Sequence, residues 1–159
     1  MQKSYTVSSL IKLSDVRVAI VQARWHAEHT DRMVVACEEI LKGSGCVVEN
    51  FQVPGSYELP LATKKLAQSK RYAAIVVIGA VIKGDTDHYE VIVETCTREL
   101  GRVMYELEVP VIMELLPVHS LEQLIARTTG EHNKGIEAAQ ATLQIIEFYR
   151  SLSSRFSQL

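Results

Sequence analysis

The sequence predicts an α/β protein, a three-layer α/β/α sandwich around a four-stranded parallel sheet. Three observations point there. Short β-branched runs alternate with longer stretches of helical periodicity. One run, Ala73–Gly79, is apolar without a break, as strands are when helices cover both faces of a parallel sheet. The chain has 159 residues, 47% hydrophobic and 23% charged, which suits one domain (1–159) with a packed core.

The elements follow in order. Val16–Gln22 (VRVAIVQ) is the first strand. Glu28–Lys42 is a helix with Met33, Cys37, Ile40 and Leu41 on one face, stopped by Gly43-Ser44-Gly45. Cys46–Val53 is the second strand, ended by Pro54-Gly55. Ser56–Ser69 is helical, with Leu59, Ala62 and Leu66 at helix spacing. Ala73–Gly79 is the third strand, and Thr86–Leu107 a long helix carrying Ile92, Cys96, Leu100, Val103 and Leu107. Val109–Leu116 is the fourth strand. Ser120–Thr128 and Asn133–Leu152 are the last helices, with Ser120 and Asn133 as N-caps. The order β-α-β-α-β-α-β-α-α is flavodoxin-like. It leaves residues 1–15 as an extension with no clear place, either disordered or added to a neighbour's sheet edge.

Composition narrows the function classes. A formal net charge of −2 argues against nucleic acid or an anionic membrane as partner, since both need basic surface to neutralise phosphates. The N-terminus lacks the apolar core of a signal peptide, and the longest apolar run, Tyr72–Ile82, is of strand length, so a cytoplasmic protein is expected. Cys37, Cys46 and Cys96 are an odd set without CxxC spacing and read as buried thiols. His26, His29, His119 and His132 show no ligand spacing, so no metal is expected.

Chemistry concentrates just after the strands. In parallel α/β sheets ligands sit at the strands' carboxyl ends. There the chain places Ala23-Arg24-Trp25-His26, then VPGSYELP at 53–60, then GAVIKGDTDHYE at 79–90. Trp25, the single tryptophan, offers a flat face for a heterocycle. Glu58 can accept hydrogen bonds from ligand hydroxyls. Gly84-Asp85-Thr86 precedes a helix, where free N–H groups attract phosphate. Alone, this tripeptide reads as a plain helix start with Thr86 as cap, and Asp85 argues against an anion. His88, in the first turn, is a candidate proton shuttle. Arg127 and Lys134 are candidate phosphate partners.

These segments, with Glu122-Gln123, Arg127 and NKGIEAA at 133–139, together resemble the lumazine synthase family, over about Val16–Tyr149. The resemblance implies condensation of 5-amino-6-(D-ribitylamino)uracil with 3,4-dihydroxy-2-butanone 4-phosphate to 6,7-dimethyl-8-ribityllumazine, the penultimate step of riboflavin biosynthesis, without metal or organic cofactor. It implies that Trp25 stacks on the pyrimidine, where phenylalanine is usual. Ser56 and Glu58 would bind the ribityl chain, and Val81 and Ile82 would contact the pyrimidine through backbone groups. Gly84, Asp85 and Thr86 would form the phosphate loop, with His88 transferring protons. Arg127 would bind phosphate, and Met113 would stand at an aromatic position, both supplied by a neighbouring subunit. A homo-oligomer is therefore implied.

Departures from the family pattern sharpen these expectations. The segment TTGEH after Arg127 is one residue shorter than the form that accompanies icosahedral shells, which favours a pentamer or a decamer of two pentamers. Glu114-Leu115-Leu116-Pro117 replaces the usual Gly-Val-Leu-Thr, and His26 replaces a common Asn. Trp25-His26 is similar to a second bacterial type of the family, which implies riboflavin as a further ligand. The alternative function is then a flavin- or lumazine-binding oligomer with weak catalysis. A generic flavodoxin-like regulatory domain accounts for the sheet but not for the joined motifs.

Overall fold

The computed structural model describes residues 11–157. The elements are β1 (Arg17–Ala23), α1 (Ala27–Gly43), β2 (Val47–Val53), a 3-10 turn at Ser56–Glu58, α2 (Leu59–Gln68), β3 (Ala74–Ile82), α3 (His88–Leu107), β4 (Val111–Val118), α4 (Leu121–Thr128), a second 3-10 turn at Gly130–His132, and α5 (Lys134–Phe156). The strands are all parallel in the order β2-β1-β3-β4. This is the flavodoxin-like three-layer sandwich that the alternation of elements predicts.

Two apolar clusters hold the layers. Val18, Ile20, Val76 and Ile78 on one sheet face pack with Met33, Cys37 and Leu41 of α1, Leu124 of α4 and Ala138, Ala139 and Leu143 of α5. Ala19, Val21, Ile75 and Val77 on the other face pack with Leu59 of α2 and Cys96, Leu100 and Val103 of α3. The central strands are covered on both sides, which is why they read as unbroken apolar runs. Residues 1–10 of the proposed N-terminal extension lie outside the described residues. Ile11 and Leu13 are buried in the α1/α5 cluster, and the Leu13 N–H donates to the Ser44 carbonyl at 2.7 Å.

Several boundaries differ from the sequence expectation, each for a physical reason. The second helix opens as a 3-10 turn, and the α-helix starts afresh at Leu59, because Pro60 has no N–H to continue a helical bond backward. The third strand runs on to Ile82 because β4 pairs alongside it as far as Val118. The fourth strand passes through Pro117, which an edge strand tolerates because the missing donor can face away from the sheet. The third helix begins at His88 with Asp87 at the cap position, so Thr86 is not its N-cap. Ser120 and Asn133 do cap: their side chains accept the N–H groups of Gln123 at 3.3 Å and Gly135 at 2.8 Å.

The substituted segment of β4 has a consequence for stability. Glu114 is half-buried on β4, within electrostatic reach of Lys134 and Glu137 of α5 and Cys37 of α1, and burial pushes its carboxyl up to about 7. Lys134 opposes that rise and Glu137 adds to it, while Lys134 itself pairs with Glu137 at 2.7 Å. The folded state thus holds a proton that the unfolded chain has released. This group's contribution is full below about 4.5 and is lost as pH rises through about 7. We expect stability to fall by about 2 kcal/mol across that window through Glu114 alone. Glu114→Gln should flatten the pH profile and stabilise the protein at pH 8. Urea titrations at several pH values would show it, and parallel profiles for the two proteins would refute it.

Candidate active site

The sheet order creates a crevice between β1 and β3. The helix after β1 packs on one face and the helix after β3 on the other, so the chain diverges there. Pairing between the two strands ends at Gln22 and Ile78, while β3 continues to Ile82 against β4 alone. Beyond Ile78, the β1-facing edge of β3 is therefore open, and Val81 and Ile82 are half-buried along it. Their side chains alternate between the two faces, so what they can offer a ligand in common is backbone.

Buried polar contacts hold the β1 end of the crevice. Gln22 is buried; its amide donates to Thr30 at 2.9 Å and Asp31 at 2.8 Å, and its carbonyl accepts from Gln52 at 3.2 Å. This ties β1 to α1 and β2 just before the Arg24–His26 turn. His26 takes a left-handed φ of 63° there. Asparagine and glycine adopt that conformation at least cost, which is the physical content of the departure at this position. Trp25 projects outward with 69% of its surface exposed, so a face is available for stacking.

Gly55 joins Trp25 to Glu58. A methyl group added at Gly55 would stand 3.0 Å from Glu58 Oε2 and 3.3 Å from Trp25 Cδ1, so the glycine allows indole and carboxylate to share one spot. Glu58 Oε2 accepts the Gly55 N–H at 2.8 Å; its Oε1 makes no hydrogen bond to any described residue. Ser56 is buried, and its carbonyl accepts both the Leu59 N–H and the Cys96 thiol at 3.1 Å. Its carbonyl is thus occupied, and its N–H is the backbone group left for a ligand. Cys96 is fully buried on α3, and its thiol is pushed up to about 11 by burial, then by Glu58. It holds this turn in place as a neutral thiol. From sequence, Cys96 reads only as a buried thiol, and Gly55 as a strand stop within the VPGSYELP segment.

On the far side of the crevice, Gly84, Asp85, Thr86 and His88 are all exposed. Among the described residues, no hydrogen bond engages the N–H groups of Gly84, Asp85 or Thr86. Nothing lies within 4 Å of a methyl group added at Gly84, so the folded chain itself does not require glycine there. Unengaged amides leading into a helix without a side-chain cap form a receptive place for an anion.

Two expected residues make no hydrogen bond or ion pair with these rim residues. Arg127, exposed in the last turn of α4, bends back to donate to the Gln123 carbonyl at 3.0 Å, and no hydrogen bond or ion pair joins it to residues 84–88. Met113 is half-exposed on the edge strand opposite Val77, five residues short of where β3 ends at Ile82. Lys134 is occupied with Glu137. Among the described residues, no cluster of three His, Cys, Asp or Glu is placed to hold a metal, and no helix is long and apolar enough to cross a membrane.

The family model for 6,7-dimethyl-8-ribityllumazine synthase matches residues 15–150. The chain belongs to the lumazine synthase family. Relatives bearing that name include a protein of Stenotrophomonas maltophilia (strain K279a), 40% identical over 140 residues that cover 86% of this chain and 90% of the relative. One of Halorhodospira halophila (strain DSM 244 / SL1) is 37% identical over 153 residues, covering 94% and 98%. One of Xanthomonas euvesicatoria pv. vesicatoria (strain 85-10) is 36% identical over 146 residues, covering 89% and 95%. As a lumazine synthase, the chain is an enzyme of riboflavin biosynthesis. The family match spans every segment that lines the crevice, from Arg24 to the loop before α3.

Proposed function

We propose that the crevice between β1 and β3 binds 5-amino-6-(D-ribitylamino)uracil and 3,4-dihydroxy-2-butanone 4-phosphate side by side and joins them. The observation that carries this is the layout of one rim. An exposed indole and a carboxylate meet across Gly55 on one side, and a loop of unengaged amides leads into His88 on the other. Trp25 stacks on the pyrimidine, while Val81 and Ile82 hold its edge through the open backbone of β3. Glu58 Oε1 and the Ser56 N–H receive the ribityl hydroxyls. Gly84, Asp85 and Thr86 cradle the phosphate through backbone N–H groups, with the Asp85 carboxylate turned to solvent.

The chemistry follows from that placement. The uracil amine attacks the ketone, and loss of water leaves an imine. His88 takes the proton from the adjacent carbinol carbon, and phosphate departs from the next carbon to leave an enol. The enol takes up a proton at its terminal carbon and becomes a methyl ketone, and the ribitylamino nitrogen closes the ring on this new carbonyl with loss of a second water. Much of the acceleration comes from holding two reactants in register.

Arg127 and Met113 complete the site of a neighbouring chain: Met113 pairs with Val77, well short of the end of β3, and Arg127 is engaged with the Gln123 carbonyl and not with the loop before α3. Exposed apolar surface supports association: Tyr105 of α3 is 86% exposed, and Met104, Val111, Ile112, Ile145 and Phe148 line an open groove of about 470 Å³ beside the edge strand. A ring of chains built on pentamers, each contributing to the next, fits this division. The test is complementation. His88→Ala and Arg127→Ala chains are each expected to be poorly active alone. Co-expressed in equal amounts, they should recover about a quarter of the sites, those pairing an intact His88 with an intact neighbouring Arg127. Lumazine formation is followed by absorbance against the uncatalysed condensation. Mixed oligomers no more active than the separate variants would rule out a shared site.

A further inference from the structure

Among the described residues, no hydrogen bond engages the N–H groups of Gly84, Asp85 or Thr86, yet the residues that bracket them are joined. Lys83, just before the loop, forms an ion pair with Glu90 in the first turn of α3. Lys83 is itself fixed to the sheet, its N–H donating to the Val118 carbonyl at 2.9 Å. Its ammonium lies 5.5 Å from the centroid of the Tyr89 ring, which meets His119 edge-on at 6.1 Å. The His119 N–H in turn donates to the Gln123 side chain at 2.9 Å. Glu90 Oε2 is buried without a partner, so the carboxylate occupies a niche that water would otherwise contest. The Lys83 ammonium, and after it Glu90's own backbone N–H, hold the Glu90 carboxyl below the usual range.

We propose that Lys83 and Glu90 are positioning residues, a clamp that fixes the start of α3 against the end of β3 and so sets the spacing of the Gly84–Thr86 amides and His88. This rests on the reading of that loop as the phosphate site. A lysine fixed to the sheet by its backbone and gripping the first helical turn by its side chain removes most of the freedom of Gly84, Asp85 and Thr86, the three residues between it and Asp87. Lose either partner, and the orphaned Glu90 oxygen turns to solvent while the loop samples spacings that no longer match a phosphate.

The prediction separates this role from simple attraction of phosphate by Lys83. If Lys83 only supplied positive charge, removing the acid that neutralises it would tighten phosphate binding. If the pair is a clamp, both losses weaken it. Lys83→Met and Glu90→Gln are each expected to raise KM for the butanone phosphate about three- to fivefold, with KM for the pyrimidine unchanged. The exchange Lys83→Glu with Glu90→Lys should restore KM to within about twofold of the parent. A KM lowered or unchanged in Glu90→Gln overturns the clamp, and so does an exchange variant that recovers nothing. Arg127→Ala, run in the same assay, guards the premise. If its KM for the butanone phosphate is unchanged, the phosphate-site reading falls and the clamp falls with it. If its KM rises while both clamp variants stay flat, the clamp alone is overturned.

Discussion

Gly135→Ala is expected to cost about 3 kcal/mol of stability, more than any other single methyl added to a glycine of this chain. A methyl group at Gly135 would stand 2.1 Å from the Met33 carbonyl oxygen and 2.7 Å from the Met33 Cα and carbonyl carbon. These are backbone atoms of α1, whose Met33 is fully buried, so nothing can rotate aside. The helices must part. Parting them also strains Asn133, whose amide donates to the Arg32 carbonyl at 3.0 Å while its Oδ1 caps Gly135 at 2.8 Å. Overpacking and the loss of a buried hydrogen bond therefore act together. Urea denaturation should show a lowered midpoint with an unchanged slope. Gly101→Ala on α3 is the control. Its added methyl meets nothing within 4 Å, and it sits inside a helix, so it should be neutral or gain about 0.5–1 kcal/mol. A Gly135→Ala midpoint no lower than the parent's would show that the α1–α5 approach does not require glycine.

His88→Ala is expected to slow turnover about a hundredfold while leaving KM for both substrates near the parent values. The reason is position. His88 is the first residue of α3, exposed, and engaged in no side-chain hydrogen bond or ion pair with any described residue. Its removal therefore leaves the packing intact, and the loss falls on proton transfer. His88→Asn should lose as much, since an amide of similar shape cannot carry the proton. Rates are read from lumazine absorbance, with circular dichroism and the oligomer size confirming that the variants are assembled. A kcat within about twofold of the parent would take His88 out of the chemistry and leave catalysis to the alignment of the reactants.

The fold was legible because its signals are local. The uninterrupted run at residues 73–79 marked a strand covered on both faces, and the Ser120 and Asn133 caps were readable from residue type beside an apolar period. The rim was legible too, since a parallel α/β chain delivers every loop after a strand to one edge of the sheet. Trp25, Glu58 and His88 could be placed there before any coordinate. The supports of those residues could not. Cys96 grips the Ser56 carbonyl from forty positions away, and Lys83 and Glu90 are paired by the turn between them rather than by a helical or strand period. Thr86 reads as a cap by type, yet Asp87 stands at the cap position.

What the sequence determined by itself is the order of the elements, the parallel character of the sheet and the side on which chemistry gathers. Each depends on hydrophobic period, turn residues and the handedness of crossovers, all of which act over short stretches of chain. Only the tertiary structure decided that β3 overhangs β1 and opens its backbone, that Pro117 fits because β4 is an edge, and that Glu114 is half-buried. It alone brought Gly135 against the Met33 backbone, set Met113 opposite Val77 and turned Arg127 back onto the Gln123 carbonyl. These depend on which surfaces meet. Partners such as Asn133 and Arg32, 101 positions apart, leave no trace in the spacing of either one's neighbours.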